Sequence, residues 1–347
     1  MTNTLFPTSA SVSLDNDLTD AINIPELLQS LIWKKKIDSE LSPLLNNDSL
    51  QLFAQKLKSF LPCKPKQQRK YSQSLLCLLD YLAFANATQD VISASEHQQS
   101  LPALLQQLLE LKDETPDSTS KQQFDTETWL AELHGLLTHE WSQLESDLNA
   151  NVSQSRLLDL YLLTNILLLG ADLLTEDLFI SLWSLLQLHL DLVSQVLELP
   201  YQSEEAPLES MITRGELPCL LGLIFGRVLK SVDLFSAGKK SLAVELNELT
   251  DTDGTPHASL LPILPQYMES VLRCSMTAKW FEQKLLTSSA EQRWDDLIER
   301  AAALTIGNGQ LWLTSSFPSN WQETLHASLS RHSSEKLSHW AVQTFAA

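Results

Sequence analysis

Residues 157–174 read LLDLYLLTNILLLGADLL. The run approaches the length of a membrane span, but Asp159, Asn165 and Asp172 interrupt it. A charge at the centre of a bilayer costs about 2.5–3.5 kcal/mol on insertion scales. Being apolar on nearly every side of a helical wheel, the run instead predicts a helix over 153–173 that is covered on several faces by protein.

On either side of it, apolar residues recur at i, i+3, i+4 and i+7 along most of the chain. Upstream, the spacing predicts helices over 17–33, from an Asp48 or Ser49 cap to Pro62, over 71–86, over 102–112 with Pro102 in the first turn, and over 126–148. Downstream it predicts 175–199, capped by Thr175 and stopped by Pro200, then 215–230, 233–249, 260–286, 289–304, 320–330 and 333–345. The polar stretches 113–125 and 201–208 read as loops. The expected class is all-α, built of antiparallel helical hairpins. They form an α/α toroid, closed or incomplete, or alternatively an open α-solenoid. Residues 1–15, rich in Ser and Thr, are expected to be a disordered tail without the pattern of a secretory leader. Residues 16–347 are expected to form one helical domain.

Only 9 of 347 residues are glycine, which argues against Gly-rich phosphate loops and chains of β-turns. Cys63, Cys77, Cys219 and Cys274 are scattered without a CxxC spacing. They read as buried thiols in a reducing cytoplasm, so a cytoplasmic protein with no metal and no cofactor is expected. Net charge is −19 and uneven: residues 71–213 hold 22 acidic and 3 basic side chains, whereas 214–284 hold 8 of each. Such a middle repels phosphate backbones and favours a basic protein partner, so neither nucleic acid nor membrane is expected as a partner.

The richest stretch, 214–274, runs from RGELPCLLGLIFG through the turn Asp251-Thr252-Asp253-Gly254-Thr255-Pro256-His257 to PQYMESVLRC. Glu245-Leu246 with Leu249, then Asp253, Gly254 and His257, then Tyr267, come in order. This arrangement resembles the α/α-toroid domain of heparinase II/III-type polysaccharide lyases. In that family an Asn-His helix start, an E-L-x-x-Q-like run, a D-G-x-H-x-E turn and an S-P-x-Y-H helix start succeed one another. The resemblance implies β-elimination from a uronic acid: one group neutralises the carboxylate, a base takes the proton from C5, and an acid protonates the leaving oxygen. Arg214 would neutralise, His257 and Tyr267 would move protons, and Glu216 and Asp253 would contact substrate.

This chain departs from the family pattern at several points. Arg214-Gly215-Glu216-Leu217 replaces the Asn-His pair, and Glu216 would repel a uronate. His257 and Tyr267 would lie about 15 Å apart along one helix. The family's β-sheet domain has no counterpart after Ala301. The resemblance therefore implies a non-catalytic or degenerate toroid protein that binds a carbohydrate or a protein. An active lyase on uronate polymers and a solenoid scaffold are the alternatives.

Simpler roles exist for each piece. Asp, Gly and Pro in the 251–257 turn are what a tight helix-to-helix connection uses. Arg214 could pair at the surface with Glu216 or Glu209, and Tyr267 could sit half-buried with its hydroxyl at the rim. His134 and His139 are five apart, which is wrong for two ligands on one helical face. His189 reads as a satisfied interior histidine. His326, His332 and His339 accompany Trp312, Trp321 and Trp340 in the tail, a pairing that suits either sugar stacking or helix packing.

Overall fold

A computed structural model describes residues 23–46, 50–61, 65–88, 96–113, 125–149, 153–198, 207–228 and 231–305. The tail helices and the Trp and His residues expected after residue 305 lie outside that set, as do residues 1–22 and the Asp48 or Ser49 cap.

Among the described residues the chain is all α-helical, with no strand and two isolated bridges, Trp33 to Val228 and Thr250 to Pro256. The helices are α1 Ile24–Ser30, α2 Lys35–Asn46, α3 Leu50–Lys58, α4 Pro65–Thr88, α5 Glu96–Asp113, α6 Thr126–Asn149 and α7 Gln154–Gly170. Then come α8 Glu176–Leu188, α9 Leu190–Glu198, α10 Pro207–Ser210, a π-helical turn Met211–Glu216, and α11 Leu217–Ile224. After α12 Ser231–Glu248, a 3₁₀ turn Leu261–Ile263 leads into α13 Leu264–Trp280, and α14 Ser288–Ala303 comes last.

The apolar run 157–174 supplies most of α7, which sits in the middle. Every residue from Leu160 to Gly170 is buried, and α5, α8, α11 and the π-turn pack around it. The polar interruptions are accommodated in place. Asn165 Oδ1 accepts from Tyr71 Oη at 2.6 Å, and its Nδ2 donates to the Tyr161 carbonyl at 2.8 Å. Thr164 Oγ1 donates to the Leu160 carbonyl at 2.6 Å. Asp159 is only half-buried, and Asp172 lies outside the helix, 2.8 Å from Lys112 Nζ. The buried Asn and Thr thus each have a partner, which burial demands.

Helices distant in sequence close over this core: α4 packs on α13, and α1 and α3 pack on α8. Two tryptophans anchor α6, Trp129 Nε1 donating to the Leu104 carbonyl at 3.0 Å and Trp141 Nε1 to Ser181 Oγ at 2.8 Å. The helix from 176 to 198 is long and apolar enough by composition to cross a bilayer, yet 72% of its most apolar window is buried in the protein. The spacing predicts it unbroken, but the structure divides it at His189 into α8 and α9.

Other boundaries differ from the sequence expectation for physical reasons. The sequence reading places no helix at α2, which carries Pro43 inside it; burial of Leu41 and Leu45 holds the helix through that residue. α5 likewise begins at Glu96, ahead of Pro102. Lys35 and Lys36 occupy the first turn of α2, against the helix dipole, a position that disfavours each cation by roughly 0.3–1 kcal/mol. α11 and α12 meet backbone to backbone: a Cβ on Gly222 would stand 2.2 Å from the Phe235 amide nitrogen, and one on Gly238 2.9 Å from the Cys219 amide nitrogen.

Candidate functional site

The helix expected to begin at Gly215 begins at Pro207 and passes through the π-turn, whose six residues are all buried. Such turns are rare and often stand at functional positions. This one delivers Glu216 into the interface between α7 and α13. There, Ser270 and Arg273 lie one turn apart on α13, and both bond to it.

The Glu216 carboxylate accepts four hydrogen bonds, which is all that two oxygens comfortably take. Oε1 receives Arg273 Nε at 2.8 Å and Tyr161 Oη at 2.7 Å. Oε2 receives Arg273 Nη2 at 2.9 Å and the Ser270 hydroxyl. The pairing of guanidinium and carboxylate is thus bidentate, the strongest form of this contact. The rest of the fork is used as well: Arg273 Nη1 donates to Ser74 Oγ at 3.0 Å and to the Ser74 carbonyl at 3.2 Å, with the Glu269 carboxylate 4.0 Å away. Glu216, Arg273, Tyr161 and Ser270 are all 0% exposed.

Burial by itself would lower the Arg273 pKa. The Glu216 carboxylate and then Tyr161 outweigh it and hold the guanidinium well above its usual range. Burial raises the Tyr161 hydroxyl well above the ordinary tyrosine range, against the pull of Arg273. Burial, then the charge of Glu216, raises Tyr71 in the same way. Both tyrosines therefore act here as hydrogen-bond donors and not as bases.

The residues expected from the sequence fall into two places. Arg214 and Tyr267 are interior with Glu216: Arg214 is 6% exposed on the π-turn and Tyr267 is 0% exposed in the first turn of α13. Arg214 is accordingly not at the surface, and Glu216 takes Arg273 as its partner. The hydroxyl of Tyr267 lies inside, not at a rim.

Asp253 and His257 are exposed on the turn before α13. There the Asp253 carboxylate receives Arg300 Nη2 at 2.7 Å, its carbonyl receives Arg300 Nε at 3.2 Å, and His257 Nε2 lies 3.4 Å from Asp251 Oδ1. Gly254 has φ +80°, and a Cβ there would stand 2.4 Å from the Asp296 backbone. The turn is thus clasped onto α14.

Sequence reasoning missed Tyr161, Ser270 and Arg273. The available signal was an arginine one turn beyond Glu269 within a helix otherwise rich in apolar residues. His189 is interior: its Nδ1–H donates to the Leu185 carbonyl at 2.8 Å, and its Nε2 accepts from Arg156 Nη2 at 3.1 Å. Burial, then the charge of Arg156, lowers its pKa to about 4. Among the described residues no group of three or more His, Cys, Asp or Glu side chains is placed to hold a metal ion. Comparison with protein-family models, with curated proteins and with solved structures found no match to this chain.

Proposed function

We propose that this protein is a non-catalytic, α-helical binding protein that engages a basic protein partner through its acidic surface. The observation that carries the reading is the closure of the Glu216–Arg273 cluster. Carboxylate, guanidinium, hydroxyl and phenol converge as they would in an active site, yet each is 0% exposed and the carboxylate is saturated by the others. A group with no access to solvent and no spare hydrogen-bonding capacity positions helices; it does not turn over substrate. Read as that of a degenerate member, the toroid resemblance is compatible with this role.

The sign of the partner comes from the surface. Two of the three bases in 71–213 already pair within the stretch, Lys112 with Asp172 and Arg156 with Glu140. Asp80, Glu127, Glu132, Asp177 and Glu198 are exposed and have no ion-pair partner among the described residues. They form a surplus of negative charge that attracts cations over roughly a Debye length, about 8 Å at physiological salt.

The test joins two measurements. Absorbance of unsaturated uronate is followed on heparan- and alginate-type polymers, and anisotropy of a labelled Lys-rich helical peptide is titrated with the protein. The expected result is no product, with salt-sensitive peptide binding that E127K/E132K weakens. Turnover on any polymer, or peptide binding indifferent to those charges, overturns the reading.

A further inference from the structure

A second surface carries the opposite sign. Ile32, 60% exposed, is the most exposed large apolar residue among those described, and it stands immediately before Trp33 and the run Lys34-Lys35-Lys36. Trp33 bridges to Val228, and the Lys34 amide donates to the Arg227 carbonyl at 2.9 Å, so this corner is pinned to the end of α11. The Arg227 guanidinium lies 4.3 Å over the Phe60 ring, and Lys56 Nζ lies 5.4 Å from the same ring. Beneath them Trp33 stacks on Trp183 with centroids 5.8 Å apart. The pocket that Trp33, Phe60, Trp183 and Arg227 line has a free volume of about 10 Å³, roughly that of one water, so it is a firm floor and not a small-molecule site.

Five cations, Lys34, Lys35, Lys36, Lys56 and Arg227, share this corner. Two carboxylates stand with them: Glu40 pairs with Lys56 at 2.7 Å and also feels Lys36 and Arg227, and Asp38, in the first turn of α2, accepts from Ser42 Oγ at 2.5 Å, so the cations remain in excess. Lys34, Lys35 and Lys36 are exposed and have no ion-pair partner among the described residues. They stand at the positive end of α2, where the dipole opposes them. A local arrangement that works against helix stability and leaves an isoleucine in water is the kind that binding retains.

We propose that this corner docks an acidic peptide segment of a partner protein. The segment's carboxylates would meet Lys34–Lys36 and Arg227, and an aliphatic or aromatic side chain would lie against Ile32 and Phe60. A short segment samples only the local positive potential. An anionic bilayer is a plane that would face the whole molecule, and a net charge of −19 repels it. This corner shares no residue with the acidic surface proposed above to hold a basic partner, so either surface can bind without the other.

The experiment titrates a fluorescein-labelled peptide of alternating Glu and Leu with the full chain and follows anisotropy at low and high salt. Saturable binding is expected. It should weaken at least tenfold in K34E/K36E and in I32S, with unchanged helical circular dichroism, and remain unaltered in E127K/E132K. Failure of the acidic-surface reading would appear only in the Lys-rich peptide titration. Binding of the Glu-Leu peptide that ignores K34E/K36E, absence of saturable binding, or sedimentation with phosphatidylserine vesicles in place of peptide binding overturns the proposal.

Discussion

Replacing Glu216 by Gln keeps the shape of the side chain and removes its charge. The carboxylate accepts from Arg273 twice, from Tyr161 and from Ser270, and all four residues are fully buried. An amide can accept at only one of its two ends, so its NH₂ would face donors, and Arg273 would be left buried with Ser74 and the Glu269 carboxylate 4.0 Å away. Breaking one side of a buried pair costs about 3–5 kcal/mol, so E216Q should lower the urea midpoint by roughly 1 M or more. R273M should do the same, since it leaves the carboxylate with two hydroxyl donors.

The double variant E216L/R273M removes both charges and fills the space with apolar atoms. It should recover most of the loss and fall within about 2 kcal/mol of the parent, far short of the sum of the singles. Circular dichroism and tryptophan fluorescence, recorded together, establish that the transitions coincide. An E216Q protein within about 0.5 kcal/mol of the parent, or a double variant as unstable as the summed singles, would refute the buried, coupled pair.

G222A should destabilise by about 3 kcal/mol or more, because its Cβ would stand 2.2 Å from the Phe235 amide nitrogen and α11 and α12 must part. G135A, with nothing within 4 Å, should instead stabilise by roughly 0.5–1 kcal/mol; thermal melts of the two compare them directly. His189 is held at about 4 against an ordinary 6.5, so between those values the unfolded chain binds a proton that the folded chain refuses. Its contribution therefore makes stability fall as pH drops through that window, by about 3 kcal/mol in all, and is flat above it. H189Q should show a correspondingly shallower loss than the parent in urea titrations between pH 7 and 4; equal slopes would contradict the burial of a neutral imidazole.

Helix identity is legible in the sequence because period and composition are local. Ser153 and Thr175 cap α7 and α8 where a hydroxyl precedes an apolar period, each accepting a backbone N–H three residues on. The 251–257 turn is equally legible as a connection: Gly254 takes the positive φ such a turn needs. Pro102 misleads, since a first-turn proline is a local preference whereas α5 runs from Glu96 through it with Leu104 and Leu105 buried; α2, which is not among the expected helices, likewise carries Pro43 inside it with Leu41 and Leu45 buried.

The candidate cluster is half legible. Arg214, Glu216 and Tyr267 stand out in a short linear pattern, whereas the partners that saturate Glu216 come from positions 55 and 57 residues away, Tyr161 and Arg273. No local spacing encodes that meeting.

Order along the chain suffices to make this protein helical and to require that α7 be enclosed, because an apolar stripe on every side has no face to offer to water. It also suffices for the sign of the surface, because charges are counted without coordinates. Which charges belong to the surface at all is a matter of packing. Glu216 and Arg273 look like any solvated pair when read in line, and they are interior because the π-turn, α7 and α13 bring two opposite charges and two hydroxyls to one point. Burial of an ion is tolerated only where partners converge on it, and helices far apart in sequence must pack before that convergence exists.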